Sequence, residues 1–134
     1  MITPRIIQLP KLLDNRGSLS FFENNNQMPF EMKRVHWIYD VPGGEFRGGH
    51  AYHGNEEFIV ALSGSFDVIL DDGAERKTYS LNRSYYGVYI PQMYWREINN
   101  FSTNSLALIV SSTEYDDDDY IRDYKYFCDV RRNV

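Results

Sequence analysis

The sequence predicts an all-β domain of the sandwich or small-barrel type, followed by one short C-terminal helix. Short runs rich in Val, Ile, Tyr and Phe alternate with clusters of Gly, Asn, Asp and Pro along the whole chain. No repeat, linker or change in composition interrupts this alternation. A chain of 134 residues has the size of one domain, so we expect a single domain over residues 1–134.

Strand character recurs from the N-terminus to residue 111. The predicted strands are Arg5–Leu9, Leu19–Glu23, Lys33–Tyr39, Glu57–Leu62, Ser65–Leu70, Arg76–Ser80, Tyr85–Ile90, Trp95–Asn99 and Ser105–Ser111. So many short strands in 134 residues are typical of a sandwich or a small barrel.

Three turn signals separate these strands. Asp72-Gly73 follows an apolar strand and predicts a type I′ hairpin turn, because both residues tolerate a positive φ angle. Ser63-Gly64 predicts a second tight turn. Pro91 ends the strand that precedes it, because proline cannot donate a hydrogen bond to a sheet.

The acidic run 114–119 predicts the start of the C-terminal helix. Ile121, Tyr124 and Cys128 follow it with the spacing of a buried helical stripe, and Arg131-Arg132 come at the far end. Carboxylates at the start of a helix and arginines at its end both complement the helix dipole. The run lacks the alternating ligands and the central glycine of a calcium-binding loop.

Composition excludes several classes of function. The formal net charge of −5 argues against a protein that binds nucleic acid through its phosphates. No segment approaches the roughly 20 apolar residues of a membrane helix, and residues 1–10 lack the features of a secretory signal. Because Cys128 is the only cysteine, no intrachain disulfide can form, which fits a cytoplasmic protein.

The stretch from Gly44 to Gly64 carries the clearest functional pattern. His50 and Glu57 lie between the two glycines, and Tyr52 follows His50 by two positions. This order resembles the first motif of the cupin superfamily, in which a glycine precedes a His-x-His pair, a glutamate and a second glycine. Tyr52 stands at the place of the second histidine. The resemblance implies a cupin (RmlC-like) small β-barrel or jelly roll.

A second segment, from Pro91 to Asn100, resembles the second cupin motif, with Arg96 at the place of its metal-binding histidine. A divalent metal in such a site takes about three imidazoles and a carboxylate. A guanidinium stays protonated and cannot act as a ligand. Only His50 and Glu57 remain of the ligand set, so we expect no metal.

Several further matches follow one another in order along nearly the whole chain. They are Asp14–Leu19, Pro29–Phe30, Lys33–Val35, Arg47–Ala51, Val68–Gly73, Trp95–Glu97, Asn100–Ser102 and Tyr115–Tyr124. Together they resemble the WxcM-like sugar 3,4-ketoisomerases, which act on dTDP-4-keto-6-deoxyglucose without a metal. The C-terminal match is the most specific of them.

The resemblance implies an isomerase that moves the ketone of a dTDP-linked hexose from C4 to C3. No cofactor is expected, because a base can remove the C3 proton and an acid can return one at C4 through an enediol. In the family, a His-x-His pair and a tyrosine on the Lys-Arg-Val strand assist these transfers. By position, these places are held here by His50, Tyr52 and His36. Histidine and tyrosine have exchanged places, and we expect all three side chains to be catalytic if strands Lys33–Tyr39 and Arg47–Tyr52 face each other.

Four arginines in matching segments are expected to bind phosphate or sugar oxygens, because a planar guanidinium suits bidentate contacts. They are Arg16, Arg34, Arg47 and Arg96. Family members that form galacto and gluco products differ at the places of Arg16 and Arg96. Arg16 resembles the galacto type and Arg96 the gluco type, so the product configuration stays open, as does the identity of the base.

Two other functions remain open at this point. One is a sugar-nucleotide-binding cupin without catalysis, and the other is a dTDP-sugar 3,5-epimerase. Exposed edges of small β-domains are commonly covered, and related proteins resemble homodimers whose N-terminal strands pair across the subunit boundary. We therefore expect a homodimer that binds a nucleotide-linked sugar, in the cytoplasm, with neither nucleic acid nor a membrane as a partner.

Overall fold

The computed structural model describes residues 2–134, and β-strands dominate it. The strands are β1 Arg5–Gln8, β2 Lys11–Asp14, β3 Gly17–Ser20, β4 Arg34–Tyr39, β5 Arg47–Tyr52, β6 Glu57–Ser63, β7 Phe66–Asp71, β8 Arg76–Leu81, β9 Tyr86–Ile90, β10 Trp95–Asn99, β11 Leu106–Ser111 and β12 Tyr120–Ile121. A 3₁₀ turn spans Asp117–Asp119, and helix α1 spans Tyr124–Arg132.

Within residues 2–134, most strands belong to two five-stranded antiparallel sheets. The first sheet has the order β1-β9-β6-β11-β4, and the second has the order β12-β5-β10-β7-β8. Both sheets contribute fully buried side chains to one core, such as Ile59 and Ala107 from the first and Val68 and Ile98 from the second. The sheets do not close into a barrel. The all-β prediction is confirmed, and its jelly-roll form fits the structure.

The pleat of the strands decides which side chains reach the interior. In β4, His36 and Ile38 are partly buried, whereas Trp37 and Tyr39 are exposed by 57% and 61%. In β6, Glu57 is buried opposite Ser111 of β11. Polar side chains from several strands therefore converge on the interior.

Helix α1 covers the outer face of the second sheet. Phe127 is fully buried there, in a cluster that includes Trp95 and Ile121. The carboxylate of Asp123 accepts a hydrogen bond from the Tyr126 N–H and caps the helix. The predicted C-terminal helix is thus confirmed. Within residues 2–134, no helix combines the length and apolar character that a membrane span requires.

The acidic run does not begin this helix, and that prediction was wrong. Asp116 caps the 3₁₀ turn, and the Asp119 carboxylate accepts hydrogen bonds from the backbone N–H groups of Gly54 and Asn55. The chain then passes through β12 before the helix starts. The sequence pattern missed this arrangement because the partners of Asp119 are distant in the chain.

The turn predictions were partly correct. Strands β7 and β8 form the expected hairpin, but residues 72–75 connect them in place of a two-residue type I′ turn. The Asp72 carboxylate accepts hydrogen bonds from the N–H groups of Ala74 and Glu75, which favours the longer loop. The Ser63-Gly64 turn is confirmed, with a Gly64 φ of 67°, and β9 ends immediately before Pro91.

The N-terminal region differs most from the prediction. A hairpin of β2 and β3 takes the place of the predicted strand Leu19–Glu23. Leu12, Leu13 and Leu19 are exposed on it, and its strands pair only with each other within the described chain. Without a buried face, the hairpin has no clear alternation of apolar and polar residues.

Candidate active site

Both sheets line a cavity of about 500 Å³. The charged and polar side chains in its wall belong to His36, Arg47, His50, Tyr52, Glu57, Arg96, Tyr120 and Arg122. They come from strands that are far apart in the sequence. Titratable groups are therefore concentrated at a concave site, as catalysis requires.

A hydrogen-bonded network crosses this wall. His50 Nε2 lies 3.2 Å from the Tyr52 hydroxyl, and that hydroxyl donates to Glu57 Oε2 at 3.3 Å. The Ser111 hydroxyl donates to the same carboxylate oxygen at 3.1 Å, and Arg96 Nη1 donates to Glu57 Oε1 at 2.5 Å. Glu57 thus joins the second sheet to the first and fixes the orientation of Tyr52.

Arg96 lies at the place where the sequence pattern would hold a metal ligand. Its side chain is 1% exposed, and Nη2 donates to the Tyr94 carbonyl at 3.0 Å. Its Nε has no hydrogen-bond partner among the described residues. This wall of the cavity therefore contains a buried cation whose Nε is enclosed by the protein and makes no hydrogen bond.

The metal-free expectation remains a prediction that rests on this donor set. In the part of the chain that the structure describes, no group of three or more His, Cys, Asp or Glu side chains is placed to bind a metal. Glu57 is engaged by the guanidinium of Arg96, which cannot itself coordinate a cation.

The cavity disfavours the charged forms of the two central groups. Burial, followed by the Arg96 cation, lowers the pKa of His50 to about 3. Burial, followed by the Glu57 carboxylate, raises the pKa of Tyr52. Both side chains are therefore neutral near pH 7.

His36 reaches the same cavity from the first sheet. It pairs with Ile109 in the register of β4 and β11, and burial lowers its pKa. His50 and Tyr52 lie on β5 of the second sheet. The structure therefore brings the three predicted catalytic side chains to one cavity, with the exchanged residues His36 and Tyr52 on different sheets.

The predicted arginines divide into two groups. Arg47 and Arg96 line the cavity. Arg34 is partly buried next to it, and its Nη2 donates to the Ser111 hydroxyl at 3.3 Å. Arg16 lies on the β2–β3 hairpin with 87% of its side chain exposed, paired with Asp14 at 2.9 Å, and does not line this cavity.

Sequence reasoning missed two side chains of the site, Tyr120 and Arg122. The Tyr120 ring centroid lies 5.1 Å from that of His50 and 4.6 Å from that of Tyr52. The Arg122 guanidinium lies 4.1 Å from the Tyr120 ring, and it pairs with Asp117 at 3.0 Å. Both belong to the C-terminal match Tyr115–Tyr124, the most specific part of the family resemblance, which could have indicated them.

A jelly roll whose two sheets enclose a cavity lined by titratable side chains is the architecture of a cupin-like protein. Residues 3–132 match the family model described as FdtA: WxcM-like, C-terminal. The chain belongs to this family.

Known proteins of similar sequence and structure agree with this assignment. The chain is 40% identical over 123 residues to the TDP-4-oxo-6-deoxy-alpha-D-glucose-3,4-oxoisomerase of Aneurinibacillus thermoaerophilus, covering 92% of this chain and 88% of the relative. A 3,4-ketoisomerase from Helicobacter canadensis superposes with a TM-score of 0.94 at 36% identity, covering 98% of this chain and 99% of that one.

A third structure contains a ligand. It is a histidine-to-asparagine variant of the 3,4-ketoisomerase QdtA from Thermoanaerobacterium thermosaccharolyticum, in complex with TDP-4-keto-6-deoxyglucose. It superposes with a TM-score of 0.96 at 29% identity, covering 99% of this chain and 96% of that one.

Proposed function

We propose that this protein is a dTDP-4-keto-6-deoxyglucose 3,4-ketoisomerase, an intramolecular oxidoreductase. The observation that carries the proposal is the cavity in which neutral His50, Tyr52 and His36 surround a buried cation. The similarity to 3,4-ketoisomerases over nearly the whole chain supports the same conclusion.

The reaction needs only proton transfers. A base removes the proton from C3, the electron pair forms a C3=C4 double bond, and the C4 oxygen takes a proton to give an enediol. Loss of the proton on the C3 oxygen and protonation of C4 then give the C3 ketone. No atom or electron is gained or lost, so the reaction consumes no redox cofactor.

The cavity offers a group for each step. We assign His50, which is uncharged near pH 7, as the base, and Tyr52, which keeps its proton, as the acid. The low pKa of His50 in this cavity makes it a weaker base than an exposed histidine. Arg96 places a fixed positive charge in the cavity wall, which can stabilise the negative charge that develops on the enediolate. His36 provides a second imidazole on the opposite sheet.

The proposal extends to the partners of the enzyme. Arg34 and Arg47 lie at or next to the cavity and suit the diphosphate of a dTDP-hexose. We place the reaction in the cytoplasm, in the supply of deoxyamino sugars for surface glycans such as lipopolysaccharide O-antigen.

We also propose a homodimer. Val35, Trp37 and Tyr39 are exposed on β4, which lies at the edge of the first sheet. Exposed apolar edges of this kind are usually covered. Arg16 is exposed on the β2–β3 hairpin and does not line its own cavity, so we propose that it binds substrate in the cavity of the partner subunit.

The direct test is incubation with dTDP-4-keto-6-deoxyglucose in deuterated water, followed by NMR of the sugar protons. We expect a C3 ketone with deuterium at C4. Deuterium at C3 and C5 with the C4 ketone retained would instead identify a 3,5-epimerase. Absence of both changes would identify a binding protein without catalysis.

The exchange of histidine and tyrosine is tested by single variants. We expect His36→Asn and Tyr52→Phe each to lower kcat by about 10²-fold or more, the usual contribution of a general acid or base. His53→Asn removes an exposed histidine of the same segment and serves as the control. Full activity in both cavity variants would refute the proposed roles.

A further inference from the structure

The segment that follows the 3₁₀ turn forms part of the cavity wall. Strand β12 pairs with the end of β5, with Tyr120 opposite Tyr52 and Ile121 opposite Ala51. Ile121 is buried under helix α1, whereas Tyr120 lines the cavity. This two-residue strand therefore links the C-terminal helix to the candidate active site.

Tyr120 touches the two central groups of that site. Its ring is tilted against both the imidazole of His50 and the ring of Tyr52, at centroid distances of 5.1 and 4.6 Å. Tyr120 itself is partly buried. Its ring consequently takes the place that water would otherwise occupy next to both groups.

Asp119 fixes the position of this strand. One carboxylate oxygen accepts the Gly54 N–H at 2.8 Å, and the other accepts the Asn55 N–H at 3.0 Å. The Asp119 carbonyl accepts the His53 N–H at 3.0 Å. Three consecutive N–H groups of the β5–β6 connection thus bind one residue, and charge-assisted bonds of this kind are strong. The same connection leads from Tyr52 to Glu57.

We propose that Tyr120, held by Asp119, is a positioning residue for the proposed isomerisation. Its ring closes the cavity over His50 and Tyr52, excludes water from both and keeps them aligned for proton transfer. The role rests on the proposed function, but it also makes a physical claim about His50 that can be measured without substrate.

That measurement is the titration of the His50 imidazole. The titratable and charged groups that line the cavity around it are Arg47 and Tyr52 on its own strand, Arg96 on β10, Glu57 on β6, His36 on β4, and Tyr120 and Arg122 in the C-terminal segment. Burial is the largest cause of its low pKa. Opening the cavity to water should therefore move the titration midpoint towards the ordinary value of about 6.5.

The experiment compares Tyr120→Phe, Tyr120→Ala and Asp119→Ala with the unmodified chain, by NMR titration of the imidazoles and by steady-state kinetics. The chain has three histidines, so His36→Asn and His53→Asn identify the His50 signal by elimination. Asp118→Ala, which alters an exposed aspartate of the same segment, is the matched control.

We expect Tyr120→Ala to raise the His50 midpoint by about one pH unit or more and to lower kcat about tenfold, with a smaller change in KM. Asp119→Ala should likewise raise the His50 midpoint and lower kcat. Tyr120→Phe keeps the ring and should retain the midpoint of the unmodified chain, as should Asp118→Ala.

An unchanged midpoint in folded Tyr120→Ala and Asp119→Ala would overturn the proposal. So would a Tyr120→Phe variant that reproduces the full effect of Tyr120→Ala, because the hydroxyl would then be responsible. If the unmodified protein lacks isomerase activity, the proposed function fails, whereas the midpoint shift still decides whether Tyr120 shields His50.

Discussion

At the scale of single residues, the buried pair of Arg96 and Glu57 dominates the cavity. Their side chains are 1% and 3% exposed, and the pair connects the second sheet to the first. Removing one partner of such a pair leaves a buried charge and typically costs about 3 to 5 kcal/mol. The pair also places a fixed cation close to His50, and this charge adds to burial, the larger cause, in lowering the pKa of the imidazole.

The low pKa of His50 predicts a loss of stability in acid. In the unfolded chain this imidazole takes a proton below about pH 6.5, whereas in the folded chain it stays neutral down to a pKa of about 3. The unfolded state then binds more protons, so stability falls as the pH falls through this window. Between pH 6.5 and 5, the loss from this group is about 1.6 kcal/mol.

Urea unfolding at the two pH values measures this effect. The His50→Gln variant retains all the other titrating groups and should lose less stability over the same interval. Equal losses in the variant and the unmodified chain would show that His50 is not kept neutral by folding.

At the scale of elements, how well the sequence predicts a strand depends on whether one face is buried. The predicted strand Ser65–Leu70 overlaps β7, in which buried Phe66, Val68 and Leu70 alternate with two partly exposed residues. The β2–β3 hairpin is exposed on both faces, and β12 has only two residues. Neither of them therefore shows the alternation of apolar and polar residues from which a strand can be predicted.

The β6–β7 turn allows a specific test of an element. Gly64 has a φ of 67°, and a Cβ atom there would lie 2.5 Å from Ser102 Oγ and 2.8 Å from Ser105 Cα. We expect Gly64→Ala to destabilise the protein by about 2 to 4 kcal/mol, from backbone strain and displacement of the neighbouring loop.

The matched control for this change is Gly43→Ala, because a Cβ at Gly43 meets nothing within 4 Å. Denaturant unfolding should give a much smaller change for that variant. If Gly64→Ala is as stable as Gly43→Ala, the turn is not as closely packed as the structure indicates.

At the scale of the whole molecule, β4 presents an exposed apolar face that no other element of the described chain covers. A groove of about 600 Å³ lies between Trp37, Tyr39, Leu62 and Leu108. Trp37 is 57% exposed and Leu62 43% exposed. Large exposed apolar patches commonly mark interaction surfaces, which is the basis of the homodimer proposal.

Light scattering at micromolar concentration tests this proposal. The unmodified protein should have twice the chain mass of 15.8 kDa. Trp37→Glu should shift it towards the monomer, because a carboxylate cannot be buried unpaired in an apolar interface. If Arg16 acts in the partner's cavity, the monomeric variant should also lose activity.

The control is Tyr126→Glu, which changes an aromatic residue of α1 that is 53% exposed. This variant should retain the mass and activity of the unmodified chain. A monomer in the absence of any substitution would refute the homodimer.

By itself, the sequence determined the all-β class, most strands, the C-terminal helix and the motif residues His50, Tyr52, Glu57 and Arg96. The strands and the helix follow from local periodicity, and the motif residues follow from the resemblance of two segments to the cupin motifs. Only the tertiary structure decided that His36 and Tyr120 share a cavity with them and that Arg16 lies elsewhere. Contacts between distant segments depend on how the two sheets pack, and local sequence patterns do not predict that packing.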